Sequence, residues 1–193
     1  MPRLPIALAL LLAVLAGCGG SSSSSSSKPA NPNAQEVSPA GDIPDNQAFV
    51  AYSPPGADYS VKVPEGWARS TAGGAVTFTD KLNAIRMEEG VVKGGFSAAA
   101  AKRSQLPVLA KQVKGFQPGN VSLVRRSSGP AVRITYLATS PPDAVTGKTR
   151  TNAVERYLFA HNGKQVVLTL SGPKGADNVD PWKLVTDSLR WSR

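Results

Sequence analysis

The sequence predicts an α+β domain, an antiparallel β-sheet with flanking helices, over residues 48–193. Three observations carry this. Runs of alternating apolar and polar residues recur, separated by turns rich in Pro and Gly. One stretch, Ser97 to Phe116, switches to helical spacing. The chain closes on a second helical pattern opened by Asp180-Pro181.

The elements follow in order. Ala48 to Tyr52 is a short apolar run closed by Pro54-Pro55-Gly56. Tyr59, Val61 and Val63 alternate with Ser60 and Lys62, which is the period of a half-buried strand. Pro64-Glu65-Gly66 turns the chain, and Trp67 follows. Val76 and Phe78 alternate with Thr77 and Thr79. Ala84 to Val92 puts Ile85 and Met87 on one side, Arg86 and Glu88 on the other. In the helical stretch, Leu106, Leu109, Ala110 and Val113 share one face. Pro107 removes a hydrogen bond inside a helix, which is tolerable if a second helix begins near Gln105. Four strands then follow: Val121 to Arg126, Ala131 to Thr139, Thr151 to Ala160 and Gln165 to Leu170. The last is apolar almost throughout, as a strand covered on both faces is. Asn162-Gly163 is a tight-turn signal between its neighbour and itself. In the final helix Asp180 is placed as the cap and Pro181 at the first position, with Trp182, Val185 and Leu189 on one face.

Residues 1–47 read differently. Arg3 precedes an apolar run of about 13 residues, Leu4 to Ala16, the length of a secretory signal and too short to span a bilayer. It ends in Leu15-Ala16-Gly17-Cys18, which resembles the lipobox of bacterial lipoproteins. The resemblance implies cleavage after residue 17, diacylglycerol on the Cys18 thiol, and acyl chains such as palmitate at the new amino terminus. Two or more chains hold a protein stably where one does not. Gly19-Gly20, the unbroken serine run Ser21 to Ser27 and four prolines up to Pro44 have little to bury. Residues 18–47 therefore read as the anchored cysteine with a disordered linker, whose mean reach is about 30 Å. An O-glycosylated stalk fits the serine run equally.

A family resemblance lies in the domain. Tyr59-Ser60-Val61-Lys62-Val63-Pro64-Glu65-Gly66-Trp67, followed by Val76-Thr77-Phe78-Thr79-Asp80, resembles the opening of the PsbP-like fold, an α/β/α sandwich. The ending fits as well, with Trp182 in a closing helix and Ser188-Leu189-Arg190-Trp191 as a last strand. With the lipobox and linker, the whole resembles actinobacterial lipoproteins of the LpqN type. These motifs are structural. The resemblance implies a non-enzymatic binding or assembly protein.

The residues themselves point the same way. Cys18 is the single cysteine, so an intrachain disulfide is excluded. His161 is the single histidine, which excludes a histidine-rich metal site and leaves one candidate base, beside the Asn162-Gly163 turn. Asp177-Asn178-Val179-Asp180 lacks the glycine and later glutamate of a calcium loop. Glu88 and Glu89 are strand neighbours and point to opposite faces, and nothing in the sequence pairs Glu155 with either. Gly73-Gly74 and Gly94-Gly95 lack the strand and helix context of a phosphate loop. Trp67, Trp182 and Trp191 are read as core, with a ligand groove as the alternative.

Charge is the remaining signal. Losing Arg3 from the 22 basic residues leaves a net charge of +8 against 13 acidic ones. Lys102, Arg103, Lys111, Lys114, Arg125 and Arg126 suit either a solvated surface or contact with anionic lipid headgroups or wall polymers. Nucleic acid is not an expected partner for an exported chain. The expectation is a lipid-anchored module on the outer face of the bacterial cytoplasmic membrane. Its role is non-catalytic binding of an envelope protein or anionic polymer, without cofactor or metal. The alternative is a carrier of lipid or another apolar ligand in a cavity between sheet and helices.

Overall fold

A computed structural model describes residues 39–93 and 95–192. The signal segment, Cys18 and the serine run lie outside the described residues.

Seven strands form one antiparallel sheet. In chain order these are β3 (Ala68–Ala72), β4 (Ala75–Asp80), β5 (Asn83–Val91), β6 (Gln117–Arg126), β7 (Gly129–Thr139), β8 (Thr151–His161) and β9 (Lys164–Pro173). Their spatial order is β3-β4-β5-β9-β8-β7-β6. A second sheet holds β1 (Phe49–Tyr52), β2 (Tyr59–Pro64) and β10 (Arg190–Trp191), in the order β1-β2-β10. The helices are α1 (Ala98–Gln112) and α2 (Val179–Asp187). The architecture is α+β, as the sequence predicts.

Alternation along the central strands builds two cores, one per face of the large sheet. Ile85, Met87, Tyr157, Phe159, Leu168 and Leu170 turn toward α2 and the small sheet, where Val61, Val63, Trp182, Val185 and Leu189 meet them. Val132, Ile134, Val154, Leu158 and Val167 turn the other way, toward Ala101 and Leu109 of α1. β9 is central and contributes to both cores, which explains its unbroken apolar run. The β8–β9 hairpin turns at Asn162 (φ 48°) and Gly163 (φ 78°), the left-handed pair that such a two-residue turn requires. Among the described residues, every strand pairing and both apolar clusters fall between Ile43 and Trp191, so residues 37–193 contain a core of their own.

Several expectations are corrected. The linker was expected to run to residue 47, yet residues 39–47 belong to the folded unit. Ile43 is buried, and its backbone N–H donates to Asn178 Oδ1 at 2.8 Å. The Gly41 carbonyl accepts from Asn83 Nδ2 and from Asn178 Nδ2, each at 2.9 Å. A polar stretch with one apolar residue folds here because distant side chains satisfy its backbone.

β1 and β2 do not join the large sheet. β2 pairs with β1 and, at Tyr59↔Trp191 and Ser60↔Arg190, with β10. β3 gave no sequence signal, because all five of its residues are exposed on a sheet edge. α1 is one helix through Pro107, not two. The carbonyl orphaned by Pro107 belongs to Arg103, and both residues are exposed, so water satisfies it. Ser97 caps the helix, its Oγ accepting from Ala100 N at 3.1 Å. The cap position of α2 is Asn178, not Asp180, and Pro181 stands third in the helix. Pro is tolerated there because the first-turn N–H groups have no helical partner.

One charged cluster lies on the α1 side of the large sheet. Arg156 Nη1 donates to Glu88 Oε2 at 2.9 Å and to Thr169 Oγ1 at 2.8 Å, and Arg86 Nη2 reaches Glu88 Oε1 at 3.1 Å. Burial alone raises the Glu88 carboxyl. The charge of Arg156 and the hydrogen bonds from Arg86 and Arg156 outweigh it and hold the group below its ordinary value of 4.5. A carboxyl depressed in the folded state adds stability that is complete above its unfolded pKa and is lost as pH falls through the folded one. The urea midpoint should therefore fall as pH is lowered through the ordinary value of 4.5 and below it. Glu88→Gln should be less stable than the parent at neutral pH and lose less over that range. Equal pH slopes for the two proteins would show that Glu88 contributes nothing.

Candidate binding cleft

The outer half of the large sheet is not filled by core on its α2 side. Odd-numbered residues of β7 and β8 face that side, and the register Leu137↔Ala153, Thr135↔Glu155 and Arg133↔Tyr157 lays them in three rows. α2 stands over these rows with Val179, Trp182 and Lys183. Between them runs an open cleft of about 750 Å³, lined also by Gln117, Pro118 and Gly119 of β6 and by Pro173 and Ala176. Its size suits a small organic ligand. The bulge between Pro118 and Val121 bends β6 at this mouth.

The floor carries a connected polar network. Arg133 Nη2 lies 2.6 Å from Glu155 Oε1. Tyr157 Oη donates to Glu155 Oε2 at 2.6 Å and accepts from Arg126 Nη2 at 2.8 Å. The Arg126 guanidinium also lies 4.9 Å from the centre of the Tyr157 ring and donates through Nε to Thr186 Oγ1 at 2.9 Å. Burial, then the hydrogen bond to Glu155, push the Tyr157 hydroxyl up to about 12, so it stays protonated as a donor. At the rim, Lys183 Nζ donates to Asp187 Oδ2 at 2.7 Å. Burial alone raises the Asp187 carboxyl, but Lys183 and then Arg126 hold it below the ordinary range. Arg133 Nε is buried with no partner among the described residues, a donor left over at the cleft.

Chemically the cleft offers an aromatic wall, several small apolar surfaces and three cations against one carboxylate in its lining. That carboxylate, Glu155, already meets Arg133 and Tyr157. The lining holds no Ser, Cys or His.

Of the residues singled out from sequence, the structure brings Arg126, Glu155 and Trp182 together here. His161 sits at the end of β8, its ring stacked on Trp191 with centroids 5.2 Å apart, outside the cleft. Trp67 and Trp191 are partly buried against the core. Glu88 and Glu89 part to opposite sides, and Glu155 lies on the sheet face opposite Glu88. Gly73 and Gly74 form the β3–β4 turn, both at positive φ, and Gly94 lies outside the described residues. The Asp177 backbone N–H donates to Asp42 Oδ1 at 2.9 Å, and no group of three or more His, Cys, Asp or Glu is assembled among the described residues. Lys102, Arg103 and Lys111 lie on α1 and Lys114 in the turn just after it, on the other side of the sheet. Arg133, Tyr157 and Lys183 were missed as site residues. The available signal is the alternation itself, which puts Arg133, Thr135 and Glu155 on one face, and that face lies toward α2.

No family model matches the sequence, and no curated protein matches it. Solved structures do. The solution structure of cyanobacterial PsbP (CyanoP) from Synechocystis sp. PCC 6803 aligns with a TM-score of 0.52 at 16% identity, over 92% of this chain and 98% of that one. LpqN of Mycobacterium tuberculosis, described as involved in cell envelope biogenesis, aligns at 0.47 and 16% identity over 76% and 91%. A structure from Bacteroides thetaiotaomicron VPI-5482 aligns at 0.48 and 13% identity over 74% of this chain, which spans 48% of that protein's length. At these identities the likeness concerns the backbone, and it shows that the chain has the PsbP-like fold.

Proposed function

We propose that this chain is a non-catalytic binding module of the bacterial cell envelope, anchored through lipid on Cys18, which takes an amphipathic ligand into the cleft beneath α2. The observation that carries the reading is the cleft lining: Trp182, Leu137, Ala153 and Pro173 beside Arg126, Arg133 and Lys183. An aliphatic chain alone is a poor occupant, since it would cover the Arg133–Glu155 pair and strip its water without replacing it. A ligand with a ring and an acidic group matches both halves of the lining. Support for a non-catalytic role is chemical. Acyl transfer needs a nucleophile beside a base, and glycoside hydrolysis needs two carboxyl groups, whereas the lining holds one carboxylate already paired. The anchor rests on the Leu15-Ala16-Gly17-Cys18 motif.

The probe 8-anilinonaphthalene-1-sulfonate has this chemistry. Residues 37–193 should bind it in the native state with enhanced fluorescence. Val179 and Lys183 are exposed on the rim, so Val179→Glu with Lys183→Glu leaves the core intact and sets two carboxylates at the cleft mouth. The expected result is a loss of about tenfold in affinity, which is 1.4 kcal/mol. Unchanged binding by the double variant would count against the cleft.

A further inference from the structure

Residues 90–142 contain no Asp or Glu, yet they carry Lys93, Lys102, Arg103, Lys111, Lys114, Arg125, Arg126 and Arg133. The fold gathers the middle of this segment on α1. Ala101 and Leu109 turn inward, with Leu106 and Val113 packed beside them. The opposite side presents Arg103, Pro107, Ala110 and Lys111 as one exposed stripe, continued by exposed Lys114 in the turn just past the helix end, while Lys102, also exposed, stands on the row of Leu106 and Leu109. None of the ion pairs among the described residues includes Lys102, Arg103, Lys111 or Lys114. No acidic residue stands in the first turn of α1 either. The helix thus holds three like charges, and the turn after it a fourth, with no acidic residue on the helix to offset them. Between the cations stand the small residues Pro107 and Ala110, with Val108 46% exposed at the edge. Short side chains there let the helix backbone come close to a flat surface while the cations reach out to it.

We propose that the outer face of α1, with the turn that follows it, docks on an anionic phospholipid surface through headgroup contacts of Arg103, Lys111 and Lys114. Charge complementarity carries this: an acid-free cationic face meets a negative headgroup layer, and neighbouring small residues permit close approach. Penetration is shallow, because the stripe lacks the broad apolar face of an inserting helix. α1 lies on the opposite side of the large sheet from the cleft, so docking leaves the cleft mouth free. The inference does not depend on the cleft reading or on the lipid anchor, and its test uses the part of the chain without Cys18.

Residues 37–193 are mixed with vesicles of pure phosphatidylcholine, or of phosphatidylcholine with about a third phosphatidylglycerol, and bound protein is measured by sedimentation. Binding is expected only to the anionic vesicles, and it should fall steeply as salt is raised, because headgroup attraction is screened. A variant carrying Arg103→Gln, Lys111→Gln and Lys114→Gln keeps good helix formers at the two helix positions and should lose at least about tenfold in partitioning. The matched control carries Lys62→Gln, Lys81→Gln and Lys148→Gln, three cations away from this face with the same change in net charge. It should bind like the parent. Equal loss in both variants would mean that net charge and not α1 drives binding, and would overturn the proposal. So would binding to soluble anionic wall polymer with none to vesicles.

Discussion

Replacing Asn178 with alanine is expected to cost the folded domain about 3 to 4 kcal/mol, from two buried partners left unsatisfied and a third weakened. Asn178 is buried, and its amide ties three segments together. Its Oδ1 accepts from Ile43 N at 2.8 Å, and its Nδ2 donates to Gly41 O at 2.9 Å and to Asn83 Oδ1 at 3.1 Å. The site has no slack. A Cβ on Gly172 would stand 2.3 Å from Asn83 Oδ1 and 2.9 Å from Asn178 Nδ2, so only glycine admits the two amides above β9. In the alanine variant the Ile43 N–H and Asn83 Oδ1 lose their partners inside the protein, while Gly41 O keeps Asn83. Urea unfolding of residues 37–193 measures the effect. A loss below about 1 kcal/mol would mean that residues 39–47 fray without consequence.

The second large effect is Trp182→Ala, at about 3 to 5 kcal/mol. Trp182 is only 7% exposed and packs with Val185 and Leu189 into the core beneath α2. The same indole lines the cleft. Truncating it leaves a hole that the sheet below has no means to fill, since Leu168 and Leu170 are held in the β9 ladder. Trp182→Phe should keep most of the stability. If alanine and phenylalanine cost the same small amount by urea unfolding, α2 is not anchored through this ring.

Much of the fold was legible where one period governs. β7, β8 and β9 declare themselves through alternation and through the Asn162-Gly163 turn, and the final helix through Trp182, Val185 and Leu189. The parts that stayed hidden depend on partners far away in sequence. β10, two residues long, has no periodicity to show; only the family resemblance marks it, and it forms because Arg190 and Trp191 find Ser60 and Tyr59. Ile43 is buried through Asn178, 135 residues on. Asp180 reads as a cap from its place before Pro181, and nothing local shows that the helix already starts at Val179. The site was half legible for a similar reason. Arg133 and Glu155 mark a polar face on two strands, but whether such a face meets water or a helix is decided by tertiary packing.

The most direct measurement of the central claim is an amide chemical-shift map of residues 37–193 titrated with 8-anilinonaphthalene-1-sulfonate. The account predicts that the shifts concentrate at Leu137, Ala153, Val179, Trp182 and Lys183. Shifts gathered instead around Phe96, Ser104 and Gln165, on the α1 side of the sheet, would contradict it.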